Sequence, residues 1–135
     1  MKREGYKKLV DYWQKTAAHD HKIMRSLFAA KHYDASLFFA HIVLEKILKA
    51  LVVNETKKHA LYTHDLVKLA EISTLSFSDQ EIKFFNEVND FNMDARYPEQ
   101  KMEFYKICTK EYTKKYIKEV ESIYKELCQK LKPKK

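Results

Sequence analysis

The residues able to do chemistry fall in three places along the chain. His64 stands beside Asp65, and histidine is the side chain that titrates near neutrality, so the pair is a candidate for acid–base work. The same residues also read as a neutral histidine hydrogen-bonded near a helix start. Further on comes Asp94-Ala95-Arg96-Tyr97-Pro98. The Arg96 guanidinium offers a planar fork to phosphate oxygens, and Tyr97 a stacking face with a hydroxyl. The competing reading pairs Asp94 with Arg96 to hold a connection, with Tyr97 and Pro98 plugging the end of a bundle. The third place is Glu45-Lys46…Lys49. Glu45 and Lys49 are four apart in the helix-favourable order, a surface pair worth about 0.2–0.5 kcal/mol. On a helix otherwise apolar all round, they instead face a cleft or a partner copy.

Other chemistries find no support. His19 and His21 point to opposite faces of a helix and are not a metal pair, and the only glycine is Gly5, so there is no Gly-rich phosphate loop. No metal ligand set and no cofactor motif is expected. Cys108 and Cys128 suit a reducing compartment. They are expected on one long helix about 30 Å apart, too far to bridge, as small buried residues.

The positioning elements read as helices. One Gly and two Pro in 135 residues is too few turn residues for sheets and hairpins. Residues 6–31 carry Val10, Trp13, Ala17, Met24 and Leu27 at three-four spacing. Asp20 occupies one slot of that seam; either it is solvated or it needs a Lys or Arg from a neighbouring helix. Asp34 is a candidate N-cap for the next helix. That helix, residues 35–53, is apolar around most of its girth and spans about 29 Å, which suits a central position. Glu45, Lys46 and Lys49 interrupt it, so it falls short of the roughly 18 uncharged residues of a membrane span.

A loop over 54–60 leads to a short third helix, with Thr63 as N-cap and Asp65 as first-turn acid. Ser78 with Glu81 forms a capping-box pattern ahead of a fourth helix carrying Ile82, Phe85, Val88 and Phe91. Residues 92–98 are expected to be a non-helical connection, because Pro98 pushes Tyr97 out of the helical region. A last helix over 103–131 ends in a basic tail at 132–135. The fold class is therefore all-α, an antiparallel up-and-down bundle of four or five helices in one domain, 1–135.

The formal charge of +7 favours polyanionic partners such as RNA or nucleotide phosphates. Only three of the 26 Lys and Arg residues are Arg, which disfavours base-edge reading of a double helix. The charged N-terminus lacks a signal-peptide apolar core, so the cytoplasm is the expected location.

Taken in order, Trp13…Asp20, Leu44-Glu45-Lys46-Ile47-Leu48-Lys49-Ala50, Thr63-His64-Asp65-Leu66 and Ala95-Arg96-Tyr97-Pro98 before a long final helix resemble the HEPN family, the higher eukaryote and prokaryote nucleotide-binding domains. The likeness runs from about Leu9 to Leu131. It implies a homodimeric helical bundle, often encoded beside a small nucleotidyltransferase in a toxin–antitoxin-like pair. Many members are metal-independent RNases with an Arg, four to six residues, then a His. Here no His follows Arg96, and the formal match from Arg25 to His32 lies in the first helix rather than late in the bundle. The expected function is a nucleotide- or RNA-end-binding module, with Asp94, Arg96, Tyr97, His64, Glu45, Lys46 and Lys49 as its ligand-binding residues. The alternatives are an RNase toxin using Arg96 and His64, or a non-catalytic protein-interaction bundle.

Overall fold

The computed structural model describes residues 3–132, leaving aside the side chains of residues 95, 96 and 98. Among these residues there are six helices and no strand: α1 Arg3–Ala29, α2 Tyr33–Thr56, α3 Leu66–Ile72, α4 Asp79–Arg96, α5 Pro98–Ile107 and α6 Lys110–Lys130. No helix among them is long and apolar enough to cross a membrane.

α2 is the axis of the bundle and touches each of the other five helices. Its apolar residues face every direction, and Leu37, Leu44, Ile47, Leu48 and Leu51 are all completely buried. α1 lies along it, closing on Ala17 and Met24; α6 adds Val120, Ile123 and Leu127, and α4 adds Phe85 and Val88. Burying such side chains contributes about 1.5–3 kcal/mol apiece, the main term holding the helices together.

The turn between α1 and α2 is made without glycine. Lys31 sits in the left-handed region at φ 67°. Its N–H donates to Phe28 O at 3.0 Å, and the His32 N–H to Leu27 O at 2.8 Å, so the last carbonyls of α1 are satisfied. Lys57 ends α2 the same way, at φ 59°.

Several boundaries differ from the sequence-based expectation. The N-cap of α2 is His32, not Asp34, which lies inside the first turn. α3 is capped by Asp65 rather than Thr63: its side chain accepts from Val67 N and Lys68 N, while Thr63 Oγ1 accepts from Asp65 N. The capping box of Ser78 and Glu81 forms as expected. α4 continues through 92–96, so the expected connection shrinks to Tyr97 alone (φ −104°, ψ 123°), and Pro98 opens α5 where its missing N–H costs nothing. The expected final helix is two helices. Thr109 caps α6 by accepting from Tyr112 N, and Cys108 breaks from helical geometry before it. Cys108 and Cys128 are thus on different segments, both free, and burial pushes the Cys108 thiol up to about 12. Within the basic tail, residues 133–135 lie outside the described residues.

The left-handed residue at the first turn generates a prediction. Lys31→Gly relieves the Cβ clash while keeping both hydrogen bonds, and is expected to raise unfolding free energy by about 0.5–1 kcal/mol. Urea denaturation measures it; unchanged or lowered stability contradicts the assignment.

Candidate functional site

Three ionisable residues of α2, His41, Glu45 and Lys49, follow one another at intervals of four and so share a face of the helix. That face is covered. His41 is 1% exposed, Glu45 7% and Lys49 6%. The expected surface pair of Glu45 and Lys49 is therefore a buried one. Charges taken out of water persist only when paired and hydrogen-bonded, and here each one is. Lys49 Nζ donates to Glu45 Oε2 at 2.9 Å and lies 5.1 Å from the centre of the Trp13 ring.

The segment before α3 crosses this face. His64 Nδ1 lies 2.9 Å from Glu45 Oε1 and donates to the carboxylate, while the backbone carbonyl of His64 accepts from His41 Nε2 at 2.8 Å. Two histidines and one carboxylate thus clamp the loop to the central helix. The hydrogen bonds also fix the tautomer of His41. His41 carries its proton on Nε2, leaving Nδ1 to accept from Asn92 Nδ2 at 3.4 Å. Burial lowers the pKa of His41 below its ordinary value, outweighing the opposing pull of Glu45, so this ring is held neutral. In His64 it is Nδ1–H that meets Glu45, and the side chain is 45% exposed.

Outside lies a cavity of about 350 Å³ lined by His64, Asp65, Asn89, Asn92, Met93 and Tyr97. α4 supplies one wall and the start of α3 the other. Asn89 ties them, donating to Asp65 Oδ1 at 2.9 Å and accepting from Leu66 N at 2.9 Å. Tyr97, 52% exposed, closes the end where α4 gives way to α5.

The fold therefore brings together Glu45, Lys49, His64 and Tyr97 of the expected residues. Lys46 is elsewhere: its Nζ pairs with Asp20 Oδ2 at 2.5 Å, which supplies the partner the α1 seam required. Asp94 is partly buried, its carboxyl raised by burial and by the nearby Asp90. The side chain of Arg96, and with it the expected Asp94–Arg96 pair, lies outside the described residues. Sequence reasoning missed His41, Asn89, Asn92 and Met93. The series 41, 45, 49 was visible and could have flagged His41; the asparagines carry no local signal. Among the described residues, no group of three His, Cys, Asp or Glu is placed to hold a metal ion.

A helical bundle built on one buried axis, with a carboxylate–histidine pair opening on a lateral cavity, is the class of protein these features define. A family model described as the HEPN domain matches residues 10–131, and the chain belongs to that family. Comparisons with curated proteins and with solved structures give no match.

The neutral buried His41 makes stability depend on pH. Its folded pKa lies below the unfolded one near 6.5, so the unfolded chain takes up a proton first. Stability is unaffected by this group above pH 6.5 and is lost as pH falls below it, by at most about 1.4 kcal/mol per pH unit. His41→Gln, which keeps a donor to His64 O, is expected to show a smaller loss between pH 7 and 5. Parallel curves for the two proteins in urea melts contradict this.

Proposed function

We propose that the chain binds a nucleotide or an RNA end in the cavity beside His64. The observation that carries this is the placing of His64: a buried carboxylate holds its ring through Nδ1 while the residue lines a cavity that also offers a tyrosine ring. Convergent polar groups in a cavity of several hundred Å³ are the usual form of a small-ligand site. The overall positive charge suits a phosphate-bearing ligand approaching from solvent, and family membership favours the same class of ligand. The proposal includes a homodimer working alongside a small nucleotidyltransferase in a toxin–antitoxin-like pair. Exposed Met93, Met102, Tyr105 and Ile107 on α4 and α5 support a second copy, as large apolar side chains left in water favour association.

Tyr97→Ala is expected to weaken binding of short single-stranded RNA about tenfold, since stacking of one base on an aromatic ring is worth roughly 1–3 kcal/mol. Melting temperature should stay near the parent's, because the ring is half exposed. Fluorescence anisotropy reads the affinity, and unchanged binding removes Tyr97 from the site.

One observation favours a second reading. A histidine oriented by a carboxylate and lining a cavity is also the arrangement used in general acid–base catalysis. If the chain cuts RNA, cleavage of total RNA persists in EDTA and disappears in His64→Ala. Cleavage surviving that substitution removes His64 from the chemistry.

A further inference from the structure

A row of aromatic rings leads up to the cavity. Tyr62 is 90% exposed, and its ring centre lies 6.0 Å from that of His64, a residue of the cavity wall. The buried ammonium of Lys49 lies 6.0 Å from the Tyr62 ring and 5.1 Å from the Trp13 ring, and so joins the two. Trp13 in turn meets Tyr12 edge-on at 5.1 Å, and Tyr12 is 54% exposed. Two exposed tyrosines, one from α1 and one from the segment before α3, are thus strung along one path that ends at His64. Lys8, also exposed and one turn before Tyr12, shares its face of α1.

A tyrosine that packs removes some 150–250 Å² from water, and Tyr62 removes almost none. A single ring in solvent is ordinary. What sets this one apart is its place, two residues before His64 on the segment that Glu45 and His41 clamp to the central helix. Resting on the reading of the cavity as a nucleotide site, we infer that its ligand is a single strand of RNA rather than a free mononucleotide. One terminal nucleotide enters the cavity, the next base stacks on Tyr62, and the strand runs on toward Tyr12 and Lys8. Unpaired bases are the ones whose faces are open to such rings, and stacking tolerates any sequence because every base has a π-face. The cationic chain suits the phosphates between them.

Isothermal titration calorimetry at one ionic strength compares uridine monophosphate with a uridine tetranucleotide. The tetranucleotide is expected to bind about tenfold tighter, as one further stacked base provides. Tyr62→Ala should remove about that tenfold from the tetranucleotide and leave the monophosphate unchanged. Its melting temperature should stay near the parent's, because the ring is almost wholly in solvent. Tyr62→Phe keeps the ring and should bind as the parent does, whereas Tyr97→Ala should weaken both ligands. If the two ligands bind the parent alike, or Tyr62→Ala leaves the tetranucleotide as tight as before, the strand assignment falls while the cavity stands as a mononucleotide site. If neither ligand binds, the reading of the cavity as a nucleotide site falls with it.

Discussion

A carboxylate inside a helical bundle must be answered by the groups around it, and Glu45 shows how this chain does so. One oxygen takes the ammonium of Lys49 from the next turn of the same helix; the other takes the imidazole of His64 from a different element. Removing Lys49 takes the ammonium from the buried pair, and breaking a buried pair costs about 3–5 kcal/mol. The irregular segment between α2 and α3 is held in place by this requirement and by the His41 bond to its backbone, with Ala60 packed against the core. The cavity follows, because its wall is the outer side of that segment.

The same logic explains where the positive charge goes. Both lysines of α2 are used internally, Lys46 against Asp20 and Lys49 against Glu45. They neutralise acids of the bundle and offer little to an outside anion. α1 serves both pairs, with Asp20 meeting Lys46 and Trp13 covering Lys49. This accounts for a sequence in which an acid interrupts an amphipathic stripe that includes a tryptophan.

What the sequence discloses and what it hides divide along the range of the forces involved. The central helix was legible because apolar residues all around a helix admit no exposed placement, and α2 does contact every other helix. The Ser78 capping box was legible because it is a contact between residues three apart. Helix ends were less so. Asp65 and Thr63 are both competent caps, and only the competition for the same amides decides between them. Nothing in the local sequence marks the break at Cys108–Thr109, and Pro98, which excludes helical geometry from Tyr97, also starts a helix. At the site, His64 and Tyr97 were visible by type. Their approach, and the contribution of Asn89 and Asn92, depend on contacts across dozens of residues, which no local pattern records.

The junction at Tyr97 has a mechanical side. One residue separates α4 from α5, so the backbone angles that aim the Tyr97 ring at the cavity also set the heading of the helix beyond it. α5 is ten residues long, or about 15 Å, and leaves Met102, Tyr105 and Ile107 exposed. A tilt of about 10° at its root sweeps its far end by about 2.5 Å over that length. The geometry of the Tyr97 backbone therefore sets where those apolar side chains stand, tying the mouth of the cavity to the outer surface of the bundle.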